Sequence, residues 1–227
     1  MSSFPWLTVI GVIPLVGALA VALIPGAGDP DDKATQAARD LLAKRVALVF
    51  SLITLGLTIA MAVRFKPNGP TFQFVQVDQW IPQFGVHYAV GVDGIALVLI
   101  GMTAVLMPVV MLASWHDADP APEAGAAAAV TAAARGRSVK TYFALMLVLE
   151  TLVIGVFAAT DVFLFYVFFE AMLIPMYFMI GSFGVGQRQY AVVKFLLYSL
   201  LGGLLMLVAI IALSIFNNIV VERIIHG

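Results

Sequence analysis

Residues 140–181 read KTYFALMLVLETLVIGVFAATDVFLFYVFFEAMLIPMYFMIG. They hold two apolar runs, Lys140 to Ala159 and Val162 to Gly181, with only Thr160 and Asp161 between them. A helix crossing the hydrocarbon core of a bilayer needs roughly 20 mostly apolar residues, and each run meets that length. So short a connection makes the two helices antiparallel neighbours. Each carries one acid near its middle, Glu150 and Glu170. Working outward, apolar runs of similar length recur at Trp6 to about Pro25, Arg45 to Val63, Gly94 to about Trp115 and Tyr190 to Phe216. The fold class expected is an all-α polytopic membrane protein of about six transmembrane helices.

Composition agrees that lipid is the solvent. Of the 227 residues 62% are hydrophobic and 11% charged, and mean hydropathy is +1.04. Soluble domains carry about a quarter charged residues to face water. A net charge of -1 without a basic cluster gives nucleic acid nothing to bind. The absence of cysteine excludes disulfides, thiolate metal sites and iron–sulfur ligation. Three scattered histidines offer little for metal chemistry, so no cofactor is expected in this chain. No Lys or Arg precedes Trp6, whereas a cleaved signal has a basic start; the first span is read as a retained helix.

The connecting segments differ in kind. Gly26 to Lys44 is a polar stretch, and the second span stops at Arg64, Lys66 and Pro67. Residues 71–92 alternate apolar and polar positions, as in TFQFVQVDQW, with Pro82 and Gly85 available for a turn. Alternation with period two predicts strands, here an extramembrane β-hairpin. Asp93 and Asp161 stand where helix N-caps belong. Residues 117–138, rich in Ala and Pro, are expected to form a flexible loop. The chain thus divides into 1–116, three helices with the hairpin, the loop 117–138, and 139–227, three more helices. Basic residues in short loops mark the cytoplasmic side. Eight of them (Lys33, Arg39, Lys44, Arg45, Arg135, Arg137, Lys140 and Arg188) fall on one face, against Arg64, Lys66 and Arg223 on the other. This places the loop in the cytoplasm and the N-terminus and hairpin outside, on the periplasmic side.

Three ionisable residues fall within the spans: Glu150, Glu170 and Lys194. Each costs roughly 2.5–3.5 kcal/mol on insertion scales and marks a functional site by default. Glu150 lies ten residues before Thr160 and Glu170 nine after Asp161. At about 1.5 Å per residue both stand about 14–15 Å from the turn, at the midplane. Low dielectric disfavours the charged carboxylate, so an acid at this depth can take up and release a proton, a candidate relay. A protonated glutamate bonded to a helix carbonyl is the structural alternative, stronger for Glu150 than for Glu170. Lys194, about 6 Å inside its helix, either snorkels to the headgroups or faces inward as a relay cation. Tyr166 and Tyr198 could extend either network. Pro175 removes a hydrogen bond to the carbonyl of Ala171 beside Glu170. Gly202 and Gly203 suit close helix packing, and His87 is assigned no role.

The segments ATDVFLFYVFFEAMLIPMYFMIGSFG (159–184) and YAVVKFLLYSLLGGLLML (190–207) resemble the subunit M family of NADH-quinone oxidoreductase, the chain-4-type antiporter-like subunits of respiratory complex I. FEAMLIPMYFMIG, residues 169–181, is the specific part, and GVDGIALVL, residues 91–99, is similar to the opening of the family's third helix. The resemblance covers nearly all of the chain apart from the Ala/Pro-rich loop. It implies the N-terminal portion of the antiporter-like fold, in a bacterial plasma membrane, in a subunit that translocates protons. Glu170 matches the family's proton-channel acid and Lys194 its lysine in helix six. NADH, FMN, iron–sulfur clusters and quinone would belong to other membrane and peripheral subunits, with which this chain would assemble. The family has fourteen helices in two inverted repeats and pairs the acid with a lysine on a broken helix seven. Residues 139–227 would begin the first repeat and stop before that helix, so a fragment is expected. A subunit of a multisubunit Na⁺/H⁺ antiporter or a membrane-bound hydrogenase is the alternative; a structural membrane scaffold is a third.

Overall fold

The structure, a computed structural model, describes residues 4–24, 33–81, 86–116, 138–184 and 187–226. Among these residues run six helices: α1 (Trp6–Leu23), α2 (Lys33–Arg64), α3 (Gly94–Ala113), α4 (Val139–Ala158), α5 (Val162–Phe183) and α6 (Arg188–His226). Strands β1 (Gln73–Ile81) and β2 (Val86–Val92) lie between α2 and α3 and pair antiparallel. All six helices are long and apolar enough to span a membrane, and the alternating segment forms the hairpin. Its expected turn at Pro82 and Gly85, and residues 117–137 of the Ala/Pro-rich loop, lie outside the described residues.

Two helices are longer than their apolar runs. Helix α2 starts at Lys33 rather than Arg45, and α6 continues to His226 rather than ending at Phe216. Hydropathy marks only the part of a helix that lies in lipid. The polar segment KATQAARDLLAK is composed of good helix formers, so nothing in it stops the helix at the membrane edge. At about 1.5 Å per residue α2 is about 48 Å long and α6 about 58 Å, both beyond a ~30 Å core.

Asp93 caps α3 by accepting from the Ala96 amide at 2.7 Å. Asp161 caps α5 by accepting from the amides of Phe163 and Leu164 at 2.8 and 3.0 Å. The tight turn between α4 and α5 is tied to the hairpin, since the Thr160 amide donates to the Ala89 carbonyl at 2.9 Å. The hairpin also meets α1, where the Thr8 hydroxyl donates to the Gln76 side chain. Between Gln73 and Gln76 the strand register shifts, and Phe74 adopts φ 53°. Such a bulge re-aims a side chain, and the Phe74 ring packs edge-on to Trp6 with 6.5 Å between centroids. Gln73 closes the other junction, accepting from the Lys66 amide at 3.0 Å and donating to the Lys66 carbonyl at 2.7 Å. The hairpin, the start of α1, the end of α2 and the α4–α5 turn therefore share one end of the bundle.

Helix α4 is central and contacts α1, α2, α3 and α5, whereas α6 packs on α5. Two buried apolar clusters stack along α4. One holds Ala18, Val21, Ala47, Met111, Phe143 and Leu147. The other, nearer the hairpin, holds Ile10, Met61, Val92, Ile100, Ile154 and Leu164. Close packing between α4 and α5 uses Gly155, where a Cβ would stand 2.7 Å from the Phe168 ring.

Candidate proton-carrying site

The two acids within the apolar helices face different neighbours. Glu150 is fully buried and points from α4 to α2, where the Ser51 hydroxyl donates to its Oε1 at 3.3 Å. Its Oε2 has no hydrogen-bond partner, nor has the buried hydroxyl of the adjacent Thr151. Glu170 points from α5 to α6. A Cβ at Gly203 would stand 1.5 Å from Glu170 Oε1 and 2.7 Å from its Cδ, so the carboxyl fills the space that a side chain on α6 would need. That Oε1 is buried and without a partner among the described residues, while Glu170 as a whole is half-buried.

The backbone explains the divergence. Helical side chains repeat every 3.6 residues, so equal depth on antiparallel helices says nothing about rotation. Residues Phe143, Leu147, Glu150, Ile154 and Ala158 form the buried stripe of α4, which turns Glu150 into the bundle of α1–α3. On α5 the N-cap at Asp161 fixes the first turn, and Glu170 falls on the side covered by α6. The helix runs on through Pro175, itself buried. No hydrogen bond or ion pair joins the two carboxyls among the described residues.

Ser51 belongs to a polar seam that sequence reasoning passed over. Ser51, Thr54, Thr58 and Thr103 are buried, and Ser51 among them meets Glu150. Thr54 and Thr58 return their hydroxyls to the carbonyls four residues earlier, at 3.0 and 2.9 Å, and Thr103 does the same to Leu99 at 2.9 Å. Bonding within one helix satisfies these groups in lipid; Ser51 instead spends its proton on the acid. The spacing Ser51, Thr54, Thr58 inside an apolar span was the available signal. Ser51→Ala strips Glu150 of this donor, and leaving a buried acceptor unsatisfied costs about 1–3 kcal/mol. A lower melting temperature of the purified protein is expected; an unchanged one would show that the bond contributes nothing.

Lys194 does not reach either acid among the described residues. It is exposed on α6, with its ammonium 4.4 Å from the centroid of the Tyr190 ring one turn earlier. Tyr198 is 69% exposed and faces away from the α5–α6 contact. Tyr166, half-buried one turn before Glu170, stays on the α5 side of the site. The geometry therefore selects Glu170 with Gly203 as one site, places Glu150 with Ser51 in another, and leaves the lysine at the surface.

Comparison with known proteins bears on this arrangement. The family model described as NADH:quinone oxidoreductase/Mrp antiporter, TM matches residues 159–226, the segment that holds Glu170 and Gly203. NADH-quinone oxidoreductase subunit M of Mycobacterium tuberculosis is 44% identical over 95% of this chain. The subunit M of Rhodobacter capsulatus is 39% identical over 91% of it. The chain spans 39% and 35% of the length of those two relatives. In three dimensions it is similar to a chain of respiratory complex I from Thermus thermophilus with bound NADH. The TM-score is 0.68 at 23% identity, covering 93% of this chain and 36% of that one, a likeness of fold.

Proposed function

We propose that this chain, similar to part of NADH-quinone oxidoreductase subunit M, serves in a proton-translocating membrane-arm subunit of such a complex, with Glu170 as the acid that carries the proton. One observation carries the assignment of the residue. The Glu170 carboxyl is held between α5 and α6 against Gly203, inside the segment that the family model matches, with an Oε1 that is buried and without a partner among the described residues. Buried polar groups are nearly always partnered, and an acid kept in this state costs stability unless it has work to do.

The chain's own residues supply position and insulation. Asp161 sets the start of α5 and hence the rotation of Glu170. Gly203 leaves room for the carboxyl, and the apolar faces of α5 and α6 keep bulk water from its flanks. A proton taken up there neutralises the carboxylate, and a neighbouring charge that arrives or leaves shifts the balance between its two forms. Glu150, bonded to Ser51 through one oxygen only, is an accessory acid in the core of the bundle, and Lys194 serves at the helix end. The chain binds no cofactor in this reading; electron transfer from NADH to quinone takes place in partner subunits, which this one contacts through its exposed apolar faces. The hairpin and N-terminus lie outside the plasma membrane and α2 begins on the cytoplasmic side, a reading that the distribution of basic loop residues supports.

The deciding experiment uses inverted membrane vesicles of the source organism. NADH oxidation is expected to acidify their interior, and deletion of the gene is expected to remove that acidification. Recovery of the chain in an assembly that exchanges Na⁺ for H⁺ and leaves NADH unoxidised would overturn the reading in favour of an antiporter.

A further inference from the structure

Helices α1 and α4 leave a groove of about 590 Å³ between them. Its walls are apolar, with Leu15, Leu19 and Ala22 on α1 facing Ala144, Leu145 and Val148 on α4. At one end stand Lys140 and Thr141, and Lys140 brings the only charge among the residues that line the groove. The lysine sits in the first turn of α4 beside the last turn of α1, donating to the Ile24 carbonyl at 3.1 Å. An ammonium has three donors, so among the described residues this bond leaves two.

The dimensions fit one leaflet of a bilayer. From Lys140 to Val148 the groove follows α4 for about 12 Å, at about 1.5 Å per residue. Half of a ~30 Å hydrocarbon core is about 15 Å. The groove thus runs from the membrane surface, where α4 begins, nearly to the midplane. The charged end also holds the N-terminus of α4. Ser138 makes no side-chain cap bond there, but its carbonyl already accepts from the Thr141 and Tyr142 amides, so the ammonium is the group that faces an anion. Basic pockets between transmembrane helices bind the headgroups of anionic lipids.

We propose that the α1–α4 groove is a binding site for an anionic phospholipid, one acyl chain lying between the helices and the phosphate accepting from Lys140. Charge complementarity selects a lipid over a helix of a neighbouring subunit. A transmembrane helix would bring apolar surface to the walls and nothing to satisfy the ammonium. The site is independent of proton transfer at Glu170, and its test reads lipid rather than transport.

The protein is purified from its own membrane in the assembly it forms, stripped of lipid by detergent exchange, and given phosphatidylglycerol or phosphatidylcholine. Native mass spectrometry then counts the lipid retained. Retention of phosphatidylglycerol is expected to exceed that of phosphatidylcholine several-fold, to survive in Lys140→Arg, and to fall several-fold in Lys140→Gln. Ala144→Phe, which fills the groove and keeps the charge, is expected to lose the lipid as well. A photoreactive side chain at position 145 should label lipid. The proposal is overturned if Lys140→Gln retains phosphatidylglycerol as the unaltered protein does, if the two lipids are held equally, or if the position-145 probe labels a protein partner instead.

Discussion

Glu170→Gln is expected to abolish proton translocation in inverted vesicles while the protein accumulates and assembles normally. Glutamine has the same length and almost the same volume, so it fills the space beside Gly203 and leaves the α5–α6 contact as it is. What it lacks is an exchangeable acidic proton. Positioned proton-transfer groups contribute about 10²–10⁴-fold to the processes they serve, and transport should fall by about 100-fold or to background. The stability readout should move the other way or not at all, since a neutral amide spares the cost of an ionisable group at the midplane. Dye-quenching assays of acidification, normalised to the amount of assembled protein, measure both. Near-normal transport in this variant would remove Glu170 from the mechanism. Glu150→Gln should have the smaller effect on transport, because Glu150 is enclosed by α1–α3 and already bonded to Ser51.

The contrast between the two acids shows how far a sequence can be read. The helices were legible because each crossing must be satisfied inside one segment, which forces about 20 apolar residues into a row. The hairpin was legible from its alternation, and Asp93 and Asp161 from the capping chemistry of the residue types themselves. Counting from the turn at Thr160 and Asp161 gives the place of each acid along its helix, but not its rotation. Whether two acids at one level face each other depends on which stripe of each helix the rest of the bundle covers. For α4 that stripe is set by α1, α2 and α3 at once. The same reasoning explains why Ser51 was overlooked: it is an unremarkable hydroxyl until α2 is laid beside α4. The ends of α2 and α6 were missed for a different reason, since a helix can leave the membrane without any change in its backbone. Gly202 and Gly203 were both read as packing residues. In the structure a Cβ at Gly202 would meet nothing within 4 Å, and only Gly203 of the two sits against a neighbour, the Glu170 carboxyl.

That asymmetry supplies the second large effect. Gly203→Ala adds a single methyl group where the Glu170 carboxyl lies, 1.5 Å from Oε1. One of the two must move. The methyl is fixed to the backbone of α6, while the carboxyl is the end of a flexible side chain, so the carboxyl is displaced and the helices stay in place. Alanine is preferred to glycine inside a helix by about 0.5–1 kcal/mol, so α6 should lose no stability of its own. The variant therefore separates the position of the acid from its presence. Proton transport is expected to drop on the order of tenfold, the factor that about 1.4 kcal/mol of lost positioning produces, with the protein still assembled. Gly202→Ala makes the same chemical change one residue away, in open space, and is expected to transport like the unaltered protein. If Gly203→Ala transports normally as well, the fit of the carboxyl against α6 is incidental, and the proton does not depend on Glu170 being held there.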